Sequence, residues 1–97
     1  MATIVRTDVF ARWLHKMRDR AAAQRIAIRI DRLALGNPGP FRNLKGGVRE
    51  MKIDYGPGYR VYFTERAGEI MILLCGGNKA SQSADIAAAI ALVVELE

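Results

Sequence analysis

Residues 55–63, YGPGYRVYF, place three tyrosines and an arginine around a proline–glycine turn. Taken as a hairpin, the two-residue period sets Lys52, Arg60 and Tyr62 on one sheet face, opposite Met51, Ile53, Val61 and Phe63. Asn78 and Lys79 follow the next apolar run, where GGNK lets the backbone turn. Arginine and lysine can hold a phosphate and the extra charge it gains in a transition state, and tyrosine can stack on a base. Cleavage of RNA by its own 2′-hydroxyl asks for phosphate alignment and charge stabilisation, with no obligatory metal. The same residues would also suit the polar face of a half-exposed antiparallel sheet, so the pattern leaves both readings open. Tyr55 continues the Met51 and Ile53 face and reads as core; Tyr59 shares its register with Val61 and Phe63 and is ambiguous.

Other chemistries are excluded by what the chain lacks. One histidine and one cysteine cannot build a zinc site, and no closely spaced ligand set suggests another metal or cofactor. GNPGP and GGNK have neither the spacing nor the context of a phosphate-binding or dinucleotide loop. His15, about 100° round its helix from Leu14, reads as a solvent-facing or boundary residue rather than a member of a catalytic triad. The net charge is +5, and residues 1–52 hold 12 Lys/Arg against Asp8, Asp19, Asp31 and Glu50. Such a balance favours polyanions without proving one.

Those side chains need a scaffold, and 97 residues with 51% hydrophobic content make one domain, spanning 1–97. TIVRT suggests a first strand. Asp8 could cap a helix through VFARWLHKMRD, burying Val9, Phe10, Trp13, Leu14 and Met17. A second helix, AAAQRIAIRIDRLAL, carries an apolar stripe of Ala23, Ile26, Ala27, Ile30 and Leu33. Its Arg25, Arg29 and Arg32 form a solvated or docking face, and GNPGP ends it. Strands follow in FRNLK, VREMKIDY, YRVYFTER and EIMILLCGG, the last a continuous apolar run suited to a central position. Ser81 or Ser83 starts a final helix packing through Ile86, Ile90, Val93 and Val94. The order β-α-α-β-β-β-β-α predicts an α+β domain: a mainly antiparallel twisted sheet against an N-terminal helical hairpin, with a C-terminal helix. The helices are expected on one side, leaving the face of Lys52, Arg60 and Tyr62 open. Cys75 lies in a buried-strand setting, MILLCGG, and allows no internal disulfide, which points to a reduced, cytoplasmic compartment. MATIVRTDVF has charges where a signal peptide needs an apolar run, and IAAAIALVV is too short to cross a bilayer. A soluble protein with no membrane contact is expected.

From Val9 to Leu96 the chain resembles the RelE/ParE toxin superfamily, and more closely its HigB-like "addiction module killer protein" branch. The resemblance is carried by NLKGGVREMKIDYGPGYRVYF, then IMILLCGGNK and a closing helix. It implies a RelE-like fold and a toxin of a type II toxin–antitoxin pair. RelE-like and HigB-like members are ribosome-dependent endoribonucleases that cut messenger RNA in the A site without metal. Carried onto this chain, Arg60 of GYR matches the phosphate-binding arginine, Lys79 the basic position after the last strand, and Lys52 the basic residues of the preceding strand. A one-residue slip at YGPG would exchange Lys52 for Arg49. Asn78 and Lys45, in the matching segments, join Arg49, Tyr59 and Tyr62 as RNA-contacting candidates. RelE itself has a tyrosine near its C-terminus; this last helix, SADIAAAIALVVELE, has none, so Tyr62 or Tyr59 would have to supply the stacking ring. The resemblance also implies an antitoxin partner, in this branch usually a small helix-turn-helix DNA-binding protein, through which alone operator DNA would be reached. Two other activities share the fold: a ParE-like inhibitor of DNA gyrase, and a non-toxic co-repressor that only binds its antitoxin.

Overall fold

Thr3 and Val5 suit an extended edge, and Thr3–Arg6 forms β1 in the computed structural model, which describes residues 1–97. The chain then turns into α1 (Asp8–His15). Its cap is Thr7 rather than Asp8: the Thr7 hydroxyl accepts from the Phe10 amide at 3.0 Å, and Asp8 occupies the first turn, where a carboxylate complements the helix dipole. α1 ends before the full apolar pattern is used. Of the expected stripe only Phe10 is fully buried, and Val9 is exposed. The break falls at Lys16–Asp19, where Asp19 caps α2 (Arg20–Ala34) by accepting from the Ala22 amide at 3.1 Å. α2 buries Ala22, Ile26, Ile30 and Leu33, one residue in every turn.

Four further strands follow: β2 (Phe41–Asn43), β3 (Arg49–Ile53), β4 (Tyr59–Arg66) and β5 (Ile70–Gly77), before α3 (Gln82–Leu96) closes the chain. The sheet runs β1-β5-β4-β3-β2, antiparallel throughout except for the parallel β1–β5 pair. β3 and β4 pair with Met51 opposite Val61 and Lys52 opposite Arg60, so the unslipped register holds. Between β4 and β5 a bulge lies at Tyr62/Phe63, which face Cys75 and Leu73 and leave Leu74 extra.

The helices divide between the two sides of the sheet. α1 and α2 pack Phe10, Ile26, Ile30 and Leu33 onto Met51, Ile53, Val61, Phe63, Met71 and Leu73. On the reverse side α3 places Ala89 and Val93 against Val48, Tyr62, Ile72, Leu74 and Cys75. This corrects the expected open face. β5 is apolar on both sides, and an apolar strand needs cover on both. Val94, expected in that contact, is instead 66% exposed.

Gly76 and Gly77 also have a different role from the expected turn. A Cβ on Gly76 would collide with the Trp13 ring on one side of the sheet, and one on Gly77 with the Asp85 carboxylate on the other. The two glycines let α1 and α3 approach the end of β5 from opposite faces.

Candidate functional site

At the β3–β4 end of the sheet, Gly56 and Gly58 adopt φ of +58° and +77°, the left-handed region that glycine enters without strain. The resulting turn folds back so that the Gly58 carbonyl accepts from Arg60 Nη1 at 2.7 Å. A side chain at Gly58 would come within 3.3 Å of that guanidinium and 3.9 Å of Lys79 Cβ. Lys52, opposite Arg60 in register, completes the group. Lys52, Arg60 and Lys79 therefore line one open groove of about 400 Å³, together with Asp54 and Tyr55. Lys52 and Asp54 approach to 3.5 Å, but both are exposed, so the pair constrains little.

Arg60 is only 7% exposed, and it is held from behind. Its Nε lies 3.8 Å from Glu50 Oε2, beyond hydrogen-bond range, and is buried without another partner. Glu50 is 4% exposed and anchors a network reaching three elements. Arg42 of β2 donates through Nε at 2.9 Å and approaches through Nη2 at 2.8 Å, while Gln82 of α3 donates at 2.9 Å. Burial pulls the Glu50 carboxyl upward, but the hydrogen bonds from Gln82 and Arg42 outweigh it and hold the group below its ordinary value. A second groove of about 420 Å³ is lined by Arg42, Glu50, Lys52, Arg60 and Gln82, so Arg60 forms the wall between two polar grooves.

The other candidates separate. Arg49 lies on the opposite sheet face, with its guanidinium 5.4 Å from the Phe41 ring centre and 3.6 Å from Glu65. Tyr62 is fully buried under α3, so no base can reach its ring; burial and the Glu50 charge push its hydroxyl above its ordinary value. That removes Tyr62 as a stacking residue. Asn78 is occupied in starting α3: its side-chain carbonyl accepts from the Ser81 amide at 3.1 Å, and its own amide donates to Ser81 Oγ at 3.2 Å. Lys45 lies exposed on a single 3₁₀ turn (Lys45–Gly47) and lines neither groove. Tyr59 projects to the α1 side, edge-on to Trp13 at 6.4 Å between ring centres. His15 is exposed, as read.

Arg29 is not part of a solvated face. It donates to the carbonyls of Lys52 (2.9 Å), Pro38 (3.1 Å) and Pro40 (3.0 Å), tying α2 to the loop before β2 and to the end of β3. Arg25 instead covers the Tyr55 ring at 4.5 Å. Sequence reasoning missed Glu50, Arg42 and Gln82. The available signal was Glu50 alternating, with Asp54, onto the face of Lys52 and Arg60. No group of three or more His, Cys, Asp or Glu side chains could hold a metal ion, and no helix is long and apolar enough to cross a membrane.

No family model matches the chain. A protein of Haemophilus influenzae, described only as uncharacterized, is 43% identical over 90 residues, covering 93% of this chain and 91% of the relative. The two chains belong to one family.

Proposed function

We propose that this member of the family it shares with the Haemophilus protein is a RelE-like toxin of a type II toxin–antitoxin pair, cutting ribosome-bound messenger RNA without a metal ion. One observation carries the reading: Lys52, Arg60 and Lys79, distant in sequence, meet at one groove. In the cleavage, the 2′-hydroxyl gives up its proton as its oxygen bonds to the adjacent phosphorus, the P–O5′ bond breaks and the 5′-oxygen takes up one proton, giving a 2′,3′-cyclic phosphate and a 5′-hydroxyl. Negative charge builds on the phosphoryl oxygens, and Arg60, already fixed by Gly58 and backed by Glu50, meets it without reorganising. Lys79 and Lys52, exposed on the rim, close on the phosphate and orient the 2′-hydroxyl. The groove offers no imidazole, which suits a substrate held in alignment by the ribosome. A cytoplasmic setting and an antitoxin with an acidic segment, complementary to the charge of +5, complete the reading.

The test maps messenger-RNA 5′ ends in a purified translation system. Wild type should create new ends at A-site codons only when ribosomes are present. Arg60→Ala should lower their yield by about 10²-fold. Lys79→Ala, at an exposed position, should lower it by about tenfold, equivalent to about 1.4 kcal/mol of transition-state stabilisation, while leaving the fold intact, which separates chemistry from the structural role of Arg60. Intact message from a folded protein would overturn the reading. Arrested growth with DNA damage would then favour gyrase inhibition, and no arrest would favour a co-repressor.

A further inference from the structure

On the other side of the same turn, Trp13 and Tyr59 meet edge to face, with ring centres 6.4 Å apart and planes at 64°. They line an open recess of about 300 Å³ with Lys16, Met17 and Arg18, and no carboxylate belongs to it. Trp13 is braced by Phe10 at 5.7 Å and by the closeness of Gly76, yet both it and Tyr59 remain half-exposed. Lys16 and Arg18 stand exposed on the short link between α1 and α2, which brings two cations to the rim of an aromatic surface. Tyr59 and Arg60 are consecutive in β4, their Cα atoms about 3.8 Å apart, and they project to opposite faces. The aromatic recess and the three-cation groove are thus joined around the end of the sheet.

We propose that the Trp13–Tyr59 recess is a single-stranded RNA subsite, stacking the base of a nucleotide that flanks the phosphate held by Arg60. The inference rests on the nuclease reading for its substrate, but on separate side chains for its geometry. Base stacking needs an accessible ring face of fixed orientation, and flanking phosphates need cations without competing acids. The recess supplies both. With Tyr62 buried and the Tyr55 ring covered by Arg25, Tyr59 is the tyrosine next to Arg60 that lines an open recess. A purely structural aromatic pair would have no need of Lys16 and Arg18 at its rim.

Trp13 is the sole tryptophan, so its emission reports on this recess alone. The probe is a short oligouridylate with methylated 2′-oxygens, which cannot be cut, titrated at low salt beside an otherwise identical abasic strand. The base-bearing strand should quench Trp13 and the abasic strand should not. Tyr59→Leu, which keeps the apolar packing, should weaken binding roughly 5- to 150-fold, the range expected for losing one stacked base. Lys16→Glu with Arg18→Glu should weaken both strands. Unchanged emission up to saturating strand, equal quenching by the abasic strand, or full affinity in Tyr59→Leu would overturn the proposal. The same Tyr59→Leu variant in the translation assay separates the two ideas. Undiminished cleavage without quenching leaves the nuclease and removes the subsite; quenching without any cleavage by wild type leaves an RNA-binding surface and removes the nuclease.

Discussion

Glu50 sets the behaviour of Arg60, because each is the other's buried counter-charge. Their 3.8 Å separation would contribute little at the surface, but both side chains are more than nine-tenths buried. Removing one member of a buried pair leaves the other charged and dry, at a cost of about 3–5 kcal/mol. Glu50→Ala should fall at the low end, about 3 kcal/mol, because Arg42 can turn its exposed side chain back to water. Urea unfolding at neutral pH measures this directly. The pH dependence has a definite sign. The folded pKa of Glu50 lies below its unfolded value, so its stabilisation is present above about pH 4.3 and is lost as pH falls through the lower, folded pKa. Wild type should therefore lose stability more steeply than Glu50→Gln on the acid side. Parallel acid limbs would show that the carboxylate has no net role. Cys75 belongs to the opposite case. Burial and the nearby Asp85 charge push its thiol up to about 12, leaving it an inert packing group at neutral pH.

At the scale of elements, the end of β5 is a close joint, where α1 and α3 approach from opposite faces at Gly76 and Gly77. Gly77→Ala would drive a methyl group into Asp85, whose carboxylate also accepts from Ser81 Oγ at the start of α3. The expected loss is about 1–3 kcal/mol, in the range of other overpacked sites, and thermal unfolding would detect it. A Tm equal to that of wild type would mean that α3 moves aside freely. This joint also shows what local sequence can and cannot say. The strands, their alternation and the shared face of Lys52 and Arg60 were legible because a half-buried hairpin repeats every two residues; their direct pairing was not, since a one-residue slip at the turn stayed open. The side on which α3 lies was not, since a helix stripe of Ile86, Ala89, Ile90 and Val93 fits either face of a sheet. The hint lay in β5 itself: Ile72 and Leu74 alternate with Met71 and Leu73, so this continuous apolar run needs cover on both sides. Of the candidate site, Arg60 and the two lysines were legible from type and register. The loss of Tyr62 to the core followed from the unread position of α3, and the Trp13–Tyr59 pair spans 46 residues that no short pattern connects.

Over the whole molecule, a radius of gyration of 12.2 Å is close to the roughly 12.5 Å expected of a single compact domain of this length. One sheet shared by two apolar layers means that the site cannot be loosened from one side only. The end of the sheet carrying the β3–β4 turn gathers Lys52, Arg60 and Lys79 on one face and Lys16 and Arg18 on the other. A strand wrapping the turn would displace counterions at about five positions, giving a log–log salt slope of about −3.5 for single-stranded RNA. Lys79→Ala should reduce the slope by about 0.7, and Lys16→Glu should reduce it by at least as much. Binding isotherms of the uncleavable oligouridylate across a salt series measure both. A wild-type slope near −2 with no response to Lys16→Glu would confine the strand to the three-cation groove. A slope near −3.5 that falls with substitution on either side would mean that the strand passes around the end of the sheet.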